Sequence, residues 1–437
     1  MWDSVFRHTD AYLASLDDRP VGVPVAPDVL RTRLAGELPD VGLAPEQVID
    51  ELVAAVDPGL VASAGPRYFG FVTGQALPAA RAADMLAAVW DQNAFSYVSS
   101  PAAAVVEEVA ERWVLDVLGL PASASVGFVT GASMANATCL AAARNVVLGR
   151  LGWDAARDGL IGAPPLRVFA GAEAHATIFA ALRLVGLGAG SATLVDVTPQ
   201  GALDAEALVL DGPAIVCAQA GNVNTGASDD LALLAAKCRA AGAWLHVDGA
   251  FGLWAAAAPS LRASVAGVEL ADSWATDAHK WLNVPYDSGL AIVADRVAHR
   301  AAMGLSAAYL TESEHRQNYD YTPEASRRAR GFAVYAALRS LGRSGLAALI
   351  ERCCAHARLF ASLLDAGGAT VLNDVVLNQV LVAASPEAIA RVQADGTCWL
   401  GGTVWREQPA MRISVSGYET TEDDVRRSAA AILRALG

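Results

Sequence analysis

Between residues 126 and 293 the chain alternates short apolar runs with stretches of helical periodicity, and few architectures accept that pattern. The apolar runs cover residues 126–129, 166–170, 192–197, 214–218, 244–247, 273–275 and 290–293. Strands that alternate with helices predict a largely parallel seven-stranded sheet covered on both faces. The flanks read differently. Residues 1–65 are helical and rich in polar loops, punctuated by Pro20, Pro24, Pro27 and Pro39. Within them Trp2, Val5, Phe6, Tyr12, Leu13 and Leu16 recur mostly at three- and four-residue steps, which predicts an amphipathic helix ending before Pro20. Residues 309–326 are polar and aromatic with little periodicity, the pattern of a long mobile loop. Helices follow at 328–341 and 346–367, with strand-like runs at 375–383 and 411–415. A last helix begins near Thr421, with Glu422, Asp423 and Asp424 in its first turn. The expected division is an N-terminal helical segment (1–65), a large domain (66–308), a loop (309–326) and a smaller C-terminal α+β domain (327–437).

Charge and hydropathy exclude some functions. Thirty-two Lys and Arg stand against 46 Asp and Glu, a formal charge of −14 that repels a phosphate backbone. Nucleic acid is therefore not the expected partner, although a local cationic pocket for one phosphate is compatible with that balance. Mean hydropathy is +0.34, but it comes from alanines spread through helices. No run of about 18 strongly apolar residues suggests a span. Asp3, Arg7, His8 and Asp10 interrupt any signal-peptide core. The six cysteines lack C-x-x-C spacing and mostly sit in apolar runs, which predicts buried reduced thiols in a cytoplasmic protein and no metal site.

Three strand ends draw attention, because ligands of open α/β sheets collect outside the carboxyl ends of strands. The first is 126–129 followed by Thr130-Gly131-Ala132-Ser133-Met134-Ala135-Asn136, a strand entering a small-residue turn and a helix. Free N–H groups there bind an anion and Ser133 adds a hydroxyl, though an ordinary strand–turn–helix junction looks the same. The second is Trp244-Leu245-His246-Val247-Asp248-Gly249-Ala250. Its terminal acid suits a cofactor or metal contact, and equally a helix N-cap. The third is Ser273-Trp274-Ala275-Thr276-Asp277-Ala278-His279-Lys280-Trp281-Leu282. A lysine between tryptophans is partly desolvated, which favours the neutral amine that attacks an aldehyde. Phosphate cup, acid and lysine together are what pyridoxal 5'-phosphate requires: an anchor for its phosphate, a carboxylate for its ring nitrogen and an amine for its aldehyde. A nicotinamide reading fails for want of a G-x-G-x-x-G turn.

In its motifs the sequence resembles the group II pyridoxal-phosphate decarboxylases, the aromatic-L-amino-acid, glutamate and histidine type, with the fold type I architecture of aspartate aminotransferase. The resemblance runs from Pro66-Arg67-Tyr68-Phe69-Gly70-Phe71 to Met411-Arg412-Ile413-Ser414-Val415-Ser416. It includes TGASMAN, His175-x-Thr177, NTGASDD, HVDGAFG, DAHKWLNVPYDSG and SRRARG in family order. It implies that Lys280 forms the Schiff base, Asp248 faces the pyridine nitrogen, Ala250 packs beneath the ring and His175 stacks above it. Ala132, Ser133, Asp277 and His279 would hold the phosphate. Position 223 is Val where relatives often carry a Thr that bonds the cofactor hydroxyl, so Asn222 or Asn224 is the expected replacement. Ala180 stands where many relatives have Lys, and Ala104-Val105-Val106-Glu107 replaces their T-E-L-E.

The resemblance implies an L-amino acid decarboxylase. A substrate amine displaces Lys280 as an external aldimine, carbon dioxide leaves, and the resulting quinonoid is reprotonated by Tyr321, Tyr319 or His175. An aldehyde-forming oxidative decarboxylation or an aldol-type carbon–carbon lyase would use the same machinery. A regulatory cofactor-binding protein would have no need of the electron sink. Phe69 and Tyr97, within a segment rich in aromatics, are the expected substrate contacts and lean toward an aromatic amino acid, while Arg67 leaves an acidic one open. A homodimer is expected, with the apolar N-terminal helix covering the partner.

Overall fold

A computed structural model describes residues 1–22, 25–305 and 314–437. Ten strands are described: β1 (Ser125–Val129), β2 (Val168–Gly171), β3 (Ala192–Val195), β4 (Ile215–Gln219), β5 (Trp244–Asp248), β6 (Ser273–Asp277), β7 (Gly289–Val293), β8 (Gln379–Ala383), β9 (Gly401–Trp405) and β10 (Gln408–Ser414). The helices are α1 (Trp2–Ser15), α2 (Pro27–Leu34), α3 (Pro45–Val56), α4 (Pro78–Trp90), α5 (Pro101–Leu118), α6 (Ala132–Arg150), α7 (Ala155–Asp158), α8 (Ala176–Leu184), α9 (Leu231–Ala241), α10 (Arg296–Met303), α11 (Gly331–Ala366), α12 (Pro386–Asp395) and α13 (Glu422–Leu436).

The first seven strands form one sheet in the order β1-β7-β6-β5-β4-β2-β3. It is parallel from β6 across to β3, while β7 runs antiparallel to both β1 and β6. All five residues of β1, β4, β5, β6 and β7 are buried. Such strands face apolar matter on both sides, which explains why they read as continuous runs without polar alternation. Neighbouring residues serve opposite cores. Ile215 and Cys217 pack with α6 and α8, whereas Val216 and Ala218 join residues of α5, α9 and α11.

A three-stranded antiparallel sheet, β8-β10-β9, forms a second layer. The run at 375–383 becomes a strand only from Gln379, and β9 answers to no predicted run. It begins with two glycines and is half exposed, so its apolar content is thin. The two long helices are joined at Gly342, whose φ of 61° admits a glycine without strain. The last helix starts where expected: Thr421 and Asp424 cap each other's backbone.

The expected mobile loop is only partly described, and Tyr309 lies outside the described residues. From residue 314 the segment is fixed. Arg316 donates to Glu111 at 2.5 Å, and Arg327 grips Glu107 with two bonds of 2.8 Å. All four side chains are at most 5% exposed. Asp320 pairs with Arg300 at 2.9 Å. The polar composition that suggests mobility instead satisfies carboxylates on α5, far away in sequence.

Candidate active site

Strand ends β4, β5 and β6, with the start of α6, floor a cavity of about 480 Å³. Asp248 closes β5 and is 5% exposed. Its carboxylate accepts from Asn136 Nδ2 at 3.2 Å and from the Ala250 N–H at 3.2 Å. Behind it runs a buried chain of hydrogen bonds whose polarity is fixed at Asp248, where the carboxylate accepts from the Asn136 amide and leaves the amide oxygen to accept from His246. The Trp244 indole can only donate, and it does so to Ser273 Oγ at 2.8 Å. Ser273 then donates to His246 Nδ1 (2.9 Å), His246 Nε2–H to Asn136 Oδ1 (2.8 Å), and Asn136 to Asp248. Burial holds His246 neutral, its pKa pushed down to about 3, as this relay requires. Burial also raises the Asp248 pKa; nearby His175 and Lys280 and the two hydrogen bonds oppose that rise. A buried carboxylate aimed into a cavity suits a cationic partner.

Lys280 follows β6, its Nζ 3.3 Å from Asp277 Oδ2, with a side chain 19% exposed at the cavity wall. Asp277 has a different post from the one expected. It accepts from the Ala132 N–H at 2.6 Å, capping α6, and lies 3.4 Å from His279 Nε2. A carboxylate cannot hold a phosphate directly, since like charges repel. Asp277 therefore orients Lys280, His279 and the helix start, and Ala132 has its own N–H engaged. Ser133 lines the cavity at the same helix start, and its hydroxyl makes no hydrogen bond among the described residues. His279 accepts from the Ser288 N–H at Nδ1 (3.1 Å), which leaves the proton on Nε2.

His175 is the N-cap of α8. Its Nδ1 accepts from the Thr177 N–H at 3.3 Å and lies 2.8 Å from Thr177 Oγ1, so the ring proton sits on Nε2 in the neutral form. Burial lowers its pKa and favours that form. Ala250 lines the floor beside Asp248.

Other expectations need correction. Asn222 is fully buried and spends its side-chain oxygen on the Asn224 and Thr225 N–H groups. Asn224 accepts from Thr403. Neither borders the cavity, where Val223 does. Phe69 is 1% exposed and packs edge-on against Phe360, inside the core. Tyr97 stacks on His315 away from the cavity. Arg67 is bound to Asp424 and two carbonyls, so it meets no substrate. Neither loop tyrosine borders the cavity: Tyr319 packs on Phe95, and Tyr321 accepts from Arg296 while its ring lies under Arg316. Within this chain neither phenol reaches the cavity that holds Lys280.

Several cavity residues escaped the sequence. Arg412, on β10, enters from the small sheet and makes no side-chain hydrogen bond or ion pair among the described residues. Burial depresses its pKa. Its one signal was a lone cation in an apolar strand. Phe71, with φ of 53°, lines the mouth beside Trp399. His246 and Asn136 lay inside quoted motifs, and the two-residue spacing of His246 from Asp248 places them on one face of β5.

Comparison with known proteins places this geometry in a class. The pyridoxal-dependent decarboxylase conserved domain matches residues 27–382. Tryptophan decarboxylase 1 of Oryza sativa subsp. japonica is 29% identical over 386 residues, covering 81% of this chain and 73% of that protein. Phenylacetaldehyde synthase of Arabidopsis thaliana is 28% identical, covering 81% and 75%. Among solved structures, Oryza sativa TDC with PLP and tryptamine superposes with a TM-score of 0.89 at 26% identity, covering 99% of this chain and 96% of that one. The fold and site are those of a fold type I pyridoxal-phosphate enzyme. The chain belongs to the pyridoxal-dependent decarboxylase family, and pyridoxal 5'-phosphate is its cofactor. The residues present fit that group: an amine at Lys280, a supported carboxylate at Asp248 and a helix start at Ser133.

Proposed function

We propose that the enzyme removes carbon dioxide from an aromatic L-amino acid and releases the amine. The observation that carries this reading is Arg412, one guanidinium without a protein partner among the described residues, in a cavity whose lining also includes Phe71, Phe251 and Val223. A single free cation suits a single carboxylate, and apolar walls suit an uncharged side chain. The names of the relatives, tryptophan and tyrosine decarboxylases among them, support the same class.

Pyridoxal phosphate, held by Lys280, supplies the sink for the electron pair left when carbon dioxide departs. Asp248, backed by Asn136 and His246, keeps the ring nitrogen protonated. Ser133 and His279 offer N–H and O–H donors to the phosphate, and Ala250 leaves room for the ring. Arg412 orients the substrate carboxylate. An ion pair with the ground state does not itself accelerate loss of a neutral molecule, so its value is in alignment. His175 Nε2 and the Lys280 amine, once free, are the cavity groups able to return a proton to the substrate α-carbon.

Aldehyde formation is the second reading, favoured by the phenylacetaldehyde synthase relative and by the removal of Tyr319 and Tyr321 from the cavity. Incubation with tryptophan, tyrosine, phenylalanine and glutamate, followed by separation of products, decides. Amine and carbon dioxide from the aromatic substrates are expected. Aldehyde, ammonia and peroxide with oxygen uptake would establish the second reading, and turnover of glutamate alone would overturn the substrate class.

The divisions at 1–65, 66–308, 309–326 and 327–437 remain our organisation of the chain. A homodimer is part of the same reading. Trp2 and Phe6 on α1 are about half exposed, and Leu38 and Val41 are 96% and 81% exposed, an apolar surface that suits burial against a second copy. Light scattering should give twice the chain mass. All six thiols are free and buried, which supports a cytoplasmic setting.

A further inference from the structure

Asn283 has no part in the mechanism above, yet it stands where three segments meet and each of them carries a cavity group. It is fully buried, three residues after Lys280, with a φ of 55° that Asn and Gly adopt more readily than other residues. Its Nδ2 donates to the carbonyls of Trp281 and Ser416, both at 2.9 Å, and lies 3.4 Å from that of Lys280. Its Oδ1 accepts from the Gln75 N–H at 3.1 Å and from the Tyr418 N–H at 3.0 Å. Both donors and both acceptor positions of the amide are thereby used within the protein, and none is left for a ligand. A buried amide so fully engaged fixes the geometry of what surrounds it.

The partners say what is held. Phe71 lies four residues before Gln75, and Arg412 four residues before Ser416; both line the cavity with Lys280. The three segments touch closely. A Cβ at Gly74 would collide with the Lys280 carbonyl oxygen, and the Ser414 N–H donates to the Phe69 carbonyl at 3.0 Å. The large sheet and the small sheet share no strand pairing, so the spacing of Lys280 and Arg412 is set by contacts that cross between them. Asn283 makes two of these, to Ser416 and Tyr418, next to the lysine itself. A substrate carries its amine and its carboxylate on one carbon, so that spacing has little tolerance: a misplacement of about 1 Å can cost on the order of a hundredfold in rate. We propose that Asn283 is a positioning residue that fixes the distance between Arg412, which aligns the substrate carboxylate, and Lys280, which meets the substrate amine. The inference deepens the reading of Arg412 given above and rests on it.

The test uses the holoenzyme and two inhibitors, 3-phenylpropionate, which has the carboxylate but no amine, and 2-phenylethylamine, which has the amine but no carboxylate. Asn283→Gly and Asn283→Asp both suit the left-handed backbone. The first removes every bond of the side chain, and the second keeps an acceptor while giving up the amide donors. In both, cofactor content should stay at the wild-type level. Inhibition by 3-phenylpropionate should weaken about tenfold or more, the strength of a hydrogen bond to a charged group, while inhibition by 2-phenylethylamine is unchanged. Turnover of the amino acid, as kcat/KM, should fall by on the order of a hundredfold. In an Arg412→Met background, Asn283→Gly should cost nothing further, since the cation it places is gone. Equal weakening of both inhibitors, weakening of neither, or an undiminished loss in the Arg412→Met background overturns the proposal. Should the glycine variant fail to fold, the aspartate variant decides; failure of both to fold makes the amide a structural element only and also overturns it. If 3-phenylpropionate does not inhibit the wild type, or inhibits Arg412→Met equally well, the reading of Arg412 itself fails and this proposal falls with it, so the two failures are distinguishable.

Discussion

Arg327 is a buried guanidinium and Arg412 a half-buried one, and they end in opposite circumstances. Arg327 meets Glu107 with two bonds of 2.8 Å, and both side chains are at most 2% exposed. Arg412 is half-buried at a cavity wall, and no protein anion meets it among the described residues. The first arrangement balances charge against charge within the chain, with only the Arg327 Nε–H left unbonded, and holds chain to chain. The second is incomplete until an anion arrives, and the cost of leaving it so is recovered on binding.

The contrast can be broken first at Asp248, where the largest effect is expected. Asp248→Ala should lower turnover by on the order of a thousandfold or more, roughly 4 kcal/mol of transition-state stabilisation. Near-normal turnover would refute the role. Next come the two arginines, in a crossed comparison. Arg327→Met strips buried Glu107 of both short bonds, leaving it only Arg316 at 3.9 Å, and should cost about 3–5 kcal/mol of stability in a urea titration, with KM unchanged. Arg412→Met should leave stability near wild type and lower kcat/KM by on the order of a hundredfold, about 2.7 kcal/mol. If the two variants exchanged behaviours, the distinction would fall.

A smaller effect concerns pH. His299 is fully buried and bonded through Nδ1 to Ser125 Oγ at 2.8 Å, and burial and Arg316 push its pKa down to about 3. The unfolded chain gains the proton near the ordinary value of about 6.5 while the folded chain refuses it, so this contribution is complete above pH 6.5 and lost on acidification toward 3. His299→Leu should flatten the fall of unfolding free energy below pH 6.5 by about 1.4 kcal/mol per pH unit. An unaltered slope means that the histidine is charged in the fold. The smallest effect is at Tyr321→Phe, which removes one hydrogen bond from Arg296 and should cost about 1 kcal/mol. The amine-to-aldehyde ratio should not move, and a shift would return that phenol to the chemistry.

What could be read from the sequence follows the same physics. Lys280, Asp248 and His175 stand where a strand runs out or a helix begins, positions marked by their immediate neighbours. All seven strands of the large sheet were legible, five of them because burial on both faces leaves an unbroken apolar run. Arg412 was not, since its meaning depends on what is absent around it after packing. The segment from residue 314 misled for a related reason. Its arginines look like a solvated loop until Glu107 and Glu111, two turns of α5, are brought beneath them. Phe69 misled by proximity, lying two residues from Phe71 on the opposite side of the backbone's course.

The spread of the cavity along the chain has a consequence for its birth on the ribosome. Lys280, Asp248 and the relay from Trp244 all lie before the end of β7, but Arg412 lies on the last strand. At about 5–20 residues per second, several seconds or more separate synthesis of the two. A nascent chain can therefore complete the seat for its cofactor well before it owns the group that aligns a substrate. The reactive aldehyde, if captured early, would sit on Lys280 during that interval, covalently sequestered while the remainder of the protein is translated.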